Sequence, residues 1–243
     1  MALGRAGNGL PTGAHLDFQA AHAAARDAVH ATLDVGTLQG ELAQVGLTSI
    51  AVHSAAADRR RYLLRPDLGR RLRDTDRVRL AATPAHDALL FVVCDGLSAV
   101  AVQRHAAALL ARVVPMLHAG GQHIAPIVIA EQGRVALGDD IGEALGATAV
   151  AVLIGERPGL SAADSLGVYL TWQPHRGRTD AERNCISNIR AEGLPPAAAA
   201  EKLHWLIGAM QRLQLTGVDL KDEQPLAHAQ LTQDGPMADG SQP

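Results

Sequence analysis

Aromatic side chains are nearly missing from this sequence: two Trp, two Tyr and two Phe make up 2% of 243 residues. A core built without them must come from closely packed Ala, Val, Leu and Ile, and a surface without them is poor at stacking on nucleobases. Cysteine is as sparse. Only Cys94 and Cys185 occur, Cys94 inside an aliphatic run, which argues for reduced thiols in a cytoplasmic setting rather than a disulfide framework. Net charge is small, −3 with a pI near 6.4, and leaves no overall pull toward nucleic acid or an anionic membrane. The most apolar long segment, Leu97 to Leu117, is interrupted by Arg104, His105 and Arg112, so no membrane span is expected. The opening MALGRAGNGLPTG has no apolar h-region and does not read as a secretory signal.

Several chemistries lack their motif. No G-x-G-x-x-G follows a strand, and there is no Walker sequence and no G-x-S-x-G elbow. GRAGNG places glycines at 4, 7 and 9 but follows no strand, so it lacks the context of a phosphate cradle. The 11 His residues are scattered, with His22 and His30 eight apart and no H-E-x-x-H or Cys/His cluster, and no metal site is expected.

What is present is a change of pattern along the chain. Residues 1–80 read as a loop and helical region packing on the core. They hold an Ala-rich helix starting near Thr12 or Gly13, a short helix in TLQGELAQVG closed by Gly46, and an Arg block. That block, Asp58 to Leu80, contains nine Arg and four Asp. It suits short solvated helices whose Arg pair with those Asp or dock another subunit; the sharper alternative is an anion site. Residues 81–220 alternate strands and helices. ALLFVVC, APIVIA, TAVAVLIG and GVYLTWQ are short, nearly continuous apolar runs, as expected of strands covered on both faces. A helix from about Ser98 to Leu117, a short one in DDIGEALG, and one from about Pro196 to Leu215 complete the pattern. The fold class is therefore α/β: a Rossmann-like, mostly parallel sheet flanked by helices, with a helical N-terminal extension. Residues 221–243, polar and rich in Pro and Gly, read as a disordered tail.

Ligands of such sheets dock where strand-end loops splay apart. VVCDGLSA is strand, tight turn and helix start, with Asp95 or Ser98 able to cap the helix or leave its N–H groups facing a ligand. LIGERPGL carries Glu156 just beyond a strand, where it is either a binding carboxylate or a solvated loop acid. Asp139 and Asp140 sit where N-capping and the helix dipole explain them. ERNCISNIR surrounds Cys185 with small polar groups, which fits either a ligand-facing thiol or a structural one. No complete catalytic set is visible, a pattern that suits a cofactor-binding subunit.

Taken together, LGRAGNGLPTGAHLDFQAAHAAARDAV, YLLRPDLGRRL, VVCDGLSA, QGRVALGDDIGE, LIGERPGL and ERNCISNIR resemble the small (light) subunit of ethanolamine ammonia-lyase, from about Leu3 to Asp219. Members of that family often carry a further segment ahead of the LGRAG block. The resemblance implies a complex with a larger TIM-barrel subunit, adenosylcobalamin held between the two, and radical conversion of ethanolamine to acetaldehyde and ammonia. Substrate-centred catalysis then belongs to the large subunit, so no residue of this chain is assigned a catalytic role. Carried onto matching motifs, the family's cobalamin contacts become Val135, Glu156 and Cys185. Localisation is cytoplasmic, with a bacterial microcompartment as one setting. The alternatives are a stand-alone Rossmann-like enzyme using a nucleotide, and a scaffold whose Arg block docks partners without a cofactor.

Overall fold

Strands β1 (Ser49–His53), β2 (Leu89–Cys94), β3 (Ile127–Glu131), β4 (Ala149–Gly155), β5 (Leu166–Trp172) and β6 (Asn184–Ile189) form one sheet in the order β1-β3-β2-β4-β5-β6. They are seen in a computed structural model that describes residue 9 and residues 11–223. Gly4 and Gly7 of GRAGNG, and residues 224–243 of the expected tail, lie outside the described residues. The four strands β1, β3, β2 and β4 run parallel, with helix α5 (Ala99–Ala119) joining β2 to β3 and helix α6 (Leu137–Leu145) joining β3 to β4. β5 turns back antiparallel because only the ten residues 156–165 separate it from β4, too few for a crossover helix, and β6 pairs antiparallel with β5. The expected mostly parallel α/β sheet is what forms.

The strand period of two decides which layer each side chain joins. Leu89, Phe91, Val93, Ile129, Ala151 and Leu153 face α2 (Val35–Gln44), α5 and α7 (Pro196–Leu213). Leu90, Val92, Val128, Ala130, Val150 and Val152 face α4 (Asp74–Ala81) and α6. Both faces are covered, which explains the unbroken apolar runs. Caps set the helix starts: Ser98 Oγ accepts from Ala101 N–H at 3.2 Å to begin α5, and Asp34 accepts from Thr37 N–H at 2.9 Å to begin α2. Gly146, at φ +68°, closes α6 in the left-handed conformation.

The first 80 residues hold α1 (Thr12–His30), α2, α3 (Arg59–Leu64) and α4, as the helical reading expects, and they also supply an edge strand. β1 is five residues long and mostly half-buried, so TSIAVHS carries too little alternation to stand out. β6 was likewise not foreseen, since Cys185, Ser187 and Asn188 are exposed and its apolar positions are few. Helix α5 is long and apolar enough to cross a membrane, with a mean hydropathy of 1.2; here it packs on the sheet as the long central helix of one layer.

Candidate functional site

The loops after β2 and β3 leave for opposite faces of the sheet, α5 entering one layer and α6 the other, and this parts the chain at the carboxyl edge. The β2–α5 turn itself is closed. Gly96, at φ +57°, lies so near Gly155 that a Cβ on it would sit 2.2 Å from the Gly155 carbonyl oxygen. Leu97 N–H donates to that same oxygen at 2.9 Å. Ser98 Oγ donates to the Ala163 carbonyl at 2.8 Å, burying the start of α5 beneath residues 161–165. Ser98 therefore caps the helix, and its first turn faces protein rather than ligand. Asp95 does not cap. Its buried carboxylate accepts Gln132 N–H and Gly133 N–H, each at 3.0 Å, so the end of β2 holds the loop that follows β3. Burial pushes the Asp95 carboxyl up, against those two N–H bonds and Arg59 3.6 Å away.

A cleft of about 400 Å³ opens beside this closed turn, lined by Leu97 from the loop after β2, Arg134 and Val135 from the loop after β3, and Ile154 to Arg157 from the end of β4, with Tyr62 and Tyr169. Val135 and Glu156 thus share one cleft. Glu156 is half-buried, and its Oε2 takes both protein donors, the Ser165 hydroxyl and Asn188 N–H at 3.1 Å. Among the described residues nothing donates to Oε1. Cys185 does not line the cleft but stands one strand over, its backbone in register with Tyr169. Its residue is exposed, yet partial burial of the sulfur and the Glu156 carboxylate push the thiol up, opposed by the neighbouring Tyr169 hydroxyl. A thiol so placed is protonated at neutral pH, which argues against an activated nucleophile and also against a buried structural cysteine. Burial, then the neighbouring Cys185 and Glu156, raise the Tyr169 phenol well above its usual range.

Tyr62 forms the other wall. Its ring is fully buried, its hydroxyl donates to the Gly133 carbonyl at 3.1 Å, and the guanidiniums of Arg134 and Arg59 lie 4.2 and 4.7 Å from its centroid. Arg59 also donates to the Val29 and Gly96 carbonyls at 2.7 and 2.8 Å, tying α1 and α3 to the β2 loop. The Arg block therefore does two things. Arg65, Arg73 and Arg79 pair locally with Asp67 and Asp76, as the bland reading expects, whereas Arg59 and Arg77 reach Asp95 and Asp140 in the sheet domain.

Asp139 and Asp140 correct the sequence reading. Neither caps α6; both are buried acceptors for arginines that arrive from the loops after β5. Asp139 takes Arg183 Nη1 and Nη2 at 2.7 Å each, with Thr171 Oγ1 3.0 Å from Nη1. Asp140 takes Arg176 Nε and Nη2 at 2.8 and 2.9 Å, Leu72 N–H at 2.7 Å, and Arg77. Burial pushes the Asp139 carboxyl up while the pairing raises Arg183; with both oxygens engaged on the guanidinium, we place the pair as ionised. These contacts fix the segment after Trp172.

Sequence reasoning missed Leu97, Arg134, Tyr62 and Tyr169 as cleft walls. Leu97 and Arg134 adjoin motifs already singled out. For the tyrosines the signal was scarcity: the chain has two, and both line this cleft.

Comparison with known proteins gives a consistent result. Residues 1–221 match the family model described as ethanolamine ammonia-lyase light chain (EutC). A protein named ethanolamine ammonia-lyase small subunit from Xanthomonas campestris pv. campestris is 56% identical over 227 residues, covering 92% of this chain and 84% of that one. Proteins of the same name from Pseudomonas fluorescens and Azotobacter vinelandii are 53% identical over 227 residues and 54% over 240. The former alignment covers 92% of this chain and 82% of the relative, the latter 97% and 89%.

Proposed function

The chain belongs to the ethanolamine ammonia-lyase light-chain family, and from that membership we propose that it supplies one wall of an adenosylcobalamin site completed by a larger subunit with a TIM barrel. The observation that carries the reading is the meeting of Val135 and Glu156, motifs 21 residues apart, in one open cleft at the carboxyl edge of the sheet. A corrinoid presents a broad apolar ring rimmed with amides. Leu97, Val135 and Ile154 offer apolar surface to such a ring, while, among the described residues, Glu156 Oε1 is open to an amide N–H and the buried Arg134 Nε has no protein acceptor. Cys185 and Tyr169 extend the wall past β5. The residues present therefore fit the group.

When bound, the cofactor supplies the radical chemistry that turns ethanolamine into acetaldehyde and ammonia. This chain's residues bind and shield. Glu156, held at Oε2 by Ser165 and Asn188, presents Oε1 in a fixed direction. The apolar walls and a covering partner exclude water from the reacting centre. The two free thiols suit a reducing cytoplasm, inside or outside a bacterial microcompartment. A stand-alone nucleotide enzyme fits poorly, because the turn that would cradle its phosphates is packed shut by Gly96 and Gly155.

The test is reconstitution. The purified chain alone shows no deamination and retains no corrinoid spectrum, whereas the mixture with the large subunit gains both. In that mixture Glu156→Gln weakens cobalamin retention by about tenfold, the scale of one charge-assisted hydrogen bond, with little change in thermal midpoint. Full turnover by the isolated chain, or a co-purified nucleotide in place of a corrinoid, overturns the reading.

A further inference from the structure

A second cleft, about 620 Å³, opens next to the first and shares Arg134 and Val135 with it. Six guanidiniums line it, those of Arg70, Arg71, Arg134, Arg176, Arg178 and Arg183. Three are neutralised by carboxylates: Arg183 by Asp139 and by Asp180, which also lines the cleft, Arg176 by Asp140 and Arg178 by Glu182. Arg70, Arg71 and Arg134 have no carboxylate within ion-pair distance among the described residues, and Arg134 Nε is buried without a hydrogen-bond partner.

The fold brings these three together on purpose-built backbone. Arg134 N–H donates to the Gly69 carbonyl at 2.8 Å, and Gly69 has no side chain where a Cβ would meet the Arg134 stem and the Tyr62 ring at 3.0 Å. The 3₁₀ turn Leu68–Arg70 is thereby pinned against the loop after β3, with Arg70 and Arg71 beside Arg134. Unpaired like charges gathered in one cleft repel, and an anion relieves them. A tetrahedral phosphate offers oxygens to several planar forks at once, which suits arginine better than any single carboxylate does. Nucleic acid is a poor source of that phosphate, because among the described residues no aromatic side chain lines this cleft.

We propose that this cleft is a phosphate site, and that the phosphodiester in the nucleotide tail of the corrinoid is the group it takes. The inference rests on the cobalamin reading above, and it assigns Arg70, Arg71 and Arg134 a binding role beside Val135, Glu156 and Cys185. The cofactor then spans both clefts, its ring on the apolar wall and its tail on the arginines.

The experiment compares cobalamin with cobinamide, which keeps the corrin ring but lacks the nucleotide tail and its phosphate. Binding to the assembled two-subunit complex is read by visible absorbance, with the double variant R70Q/R71Q, at two exposed positions, beside wild type. The double variant is expected to lose cobalamin affinity by about tenfold or more and to leave cobinamide affinity unchanged, since only cobalamin carries the phosphate that the arginines engage. Inorganic phosphate is expected to compete with cobalamin and not with cobinamide. Equal loss for both corrinoids overturns the proposal, placing these arginines at the subunit interface instead, and so does no loss for either. Stabilisation by inorganic phosphate without any difference between the corrinoids moves the source to free phosphate and overturns the corrinoid assignment. If wild-type complex binds neither corrinoid, it is the parent reading that fails.

Discussion

Gly155→Ala tests the contact on which the cleft geometry depends. A Cβ built there falls 2.0 Å from the Ser98 carbonyl oxygen and 2.7 Å from that of Asp95. Carbon and oxygen normally approach no nearer than about 3.3 Å, so backbone must yield by roughly 1.3 Å. It is not free to do so, because Leu97 N–H bonds the Gly155 carbonyl at 2.9 Å and Ser98 Oγ bonds the Ala163 carbonyl at 2.8 Å. Overpacking of this kind costs on the order of 3 kcal/mol. Gly208→Ala is the control, an exposed position of α7 with nothing within 4 Å of a new Cβ, where the gain in helix propensity is about 0.5–1 kcal/mol. Urea unfolding of the two variants should therefore differ by about 4 kcal/mol, and at roughly 2–4 °C per kcal/mol Gly155→Ala should melt about 6–12 °C below wild type. Because Leu97 and Glu156 flank the displaced backbone, cobalamin retention should fall with it. A Gly155→Ala chain within about 0.5 kcal/mol of wild type would refute the backbone packing described here.

Other perturbations read different parts of the same edge. Arg183→Met leaves Asp139 buried without its cation and is expected to cost about 3–5 kcal/mol in chemical unfolding, while Arg183→Met with Asp139→Leu recovers much of the loss, as buried pairs do when both charges go. An additive double variant would contradict the pairing. Cys185 is expected to alkylate slowly at neutral pH: a raised thiol pKa lowers the thiolate fraction below it, so the rate climbs only as pH rises through a midpoint above the ordinary thiol range. Glu156→Gln removes a negative charge that raises that pKa and should shift the rate–pH profile to lower pH; an unmoved profile would separate the two groups.

The parts of the fold legible in sequence are those whose environment is uniform along the chain. β2 and β4 are buried on both faces, so every residue is apolar, and α5 and α7 are long enough for their pattern to repeat. β1 and β6 escaped notice because an edge strand needs few buried side chains. At the site, Val135, Glu156 and Cys185 entered through family resemblance and the strand-end position of Glu156. The tyrosines did not, since a lone aromatic carries no periodicity.

Composition and local pattern alone determined an α/β chain with an aliphatic core, because burial and propensity act over a few neighbouring residues. Only the tertiary structure decided that Asp139 and Asp140 hold arginines rather than cap a helix, and that Asp95 grips the next loop rather than its own. It also decided that three guanidiniums without a carboxylate partner among the described residues meet beside the apolar cleft. Asp139 and Arg183 are 44 residues apart; charges at that separation find each other only once the sheet has fixed which loops share an edge.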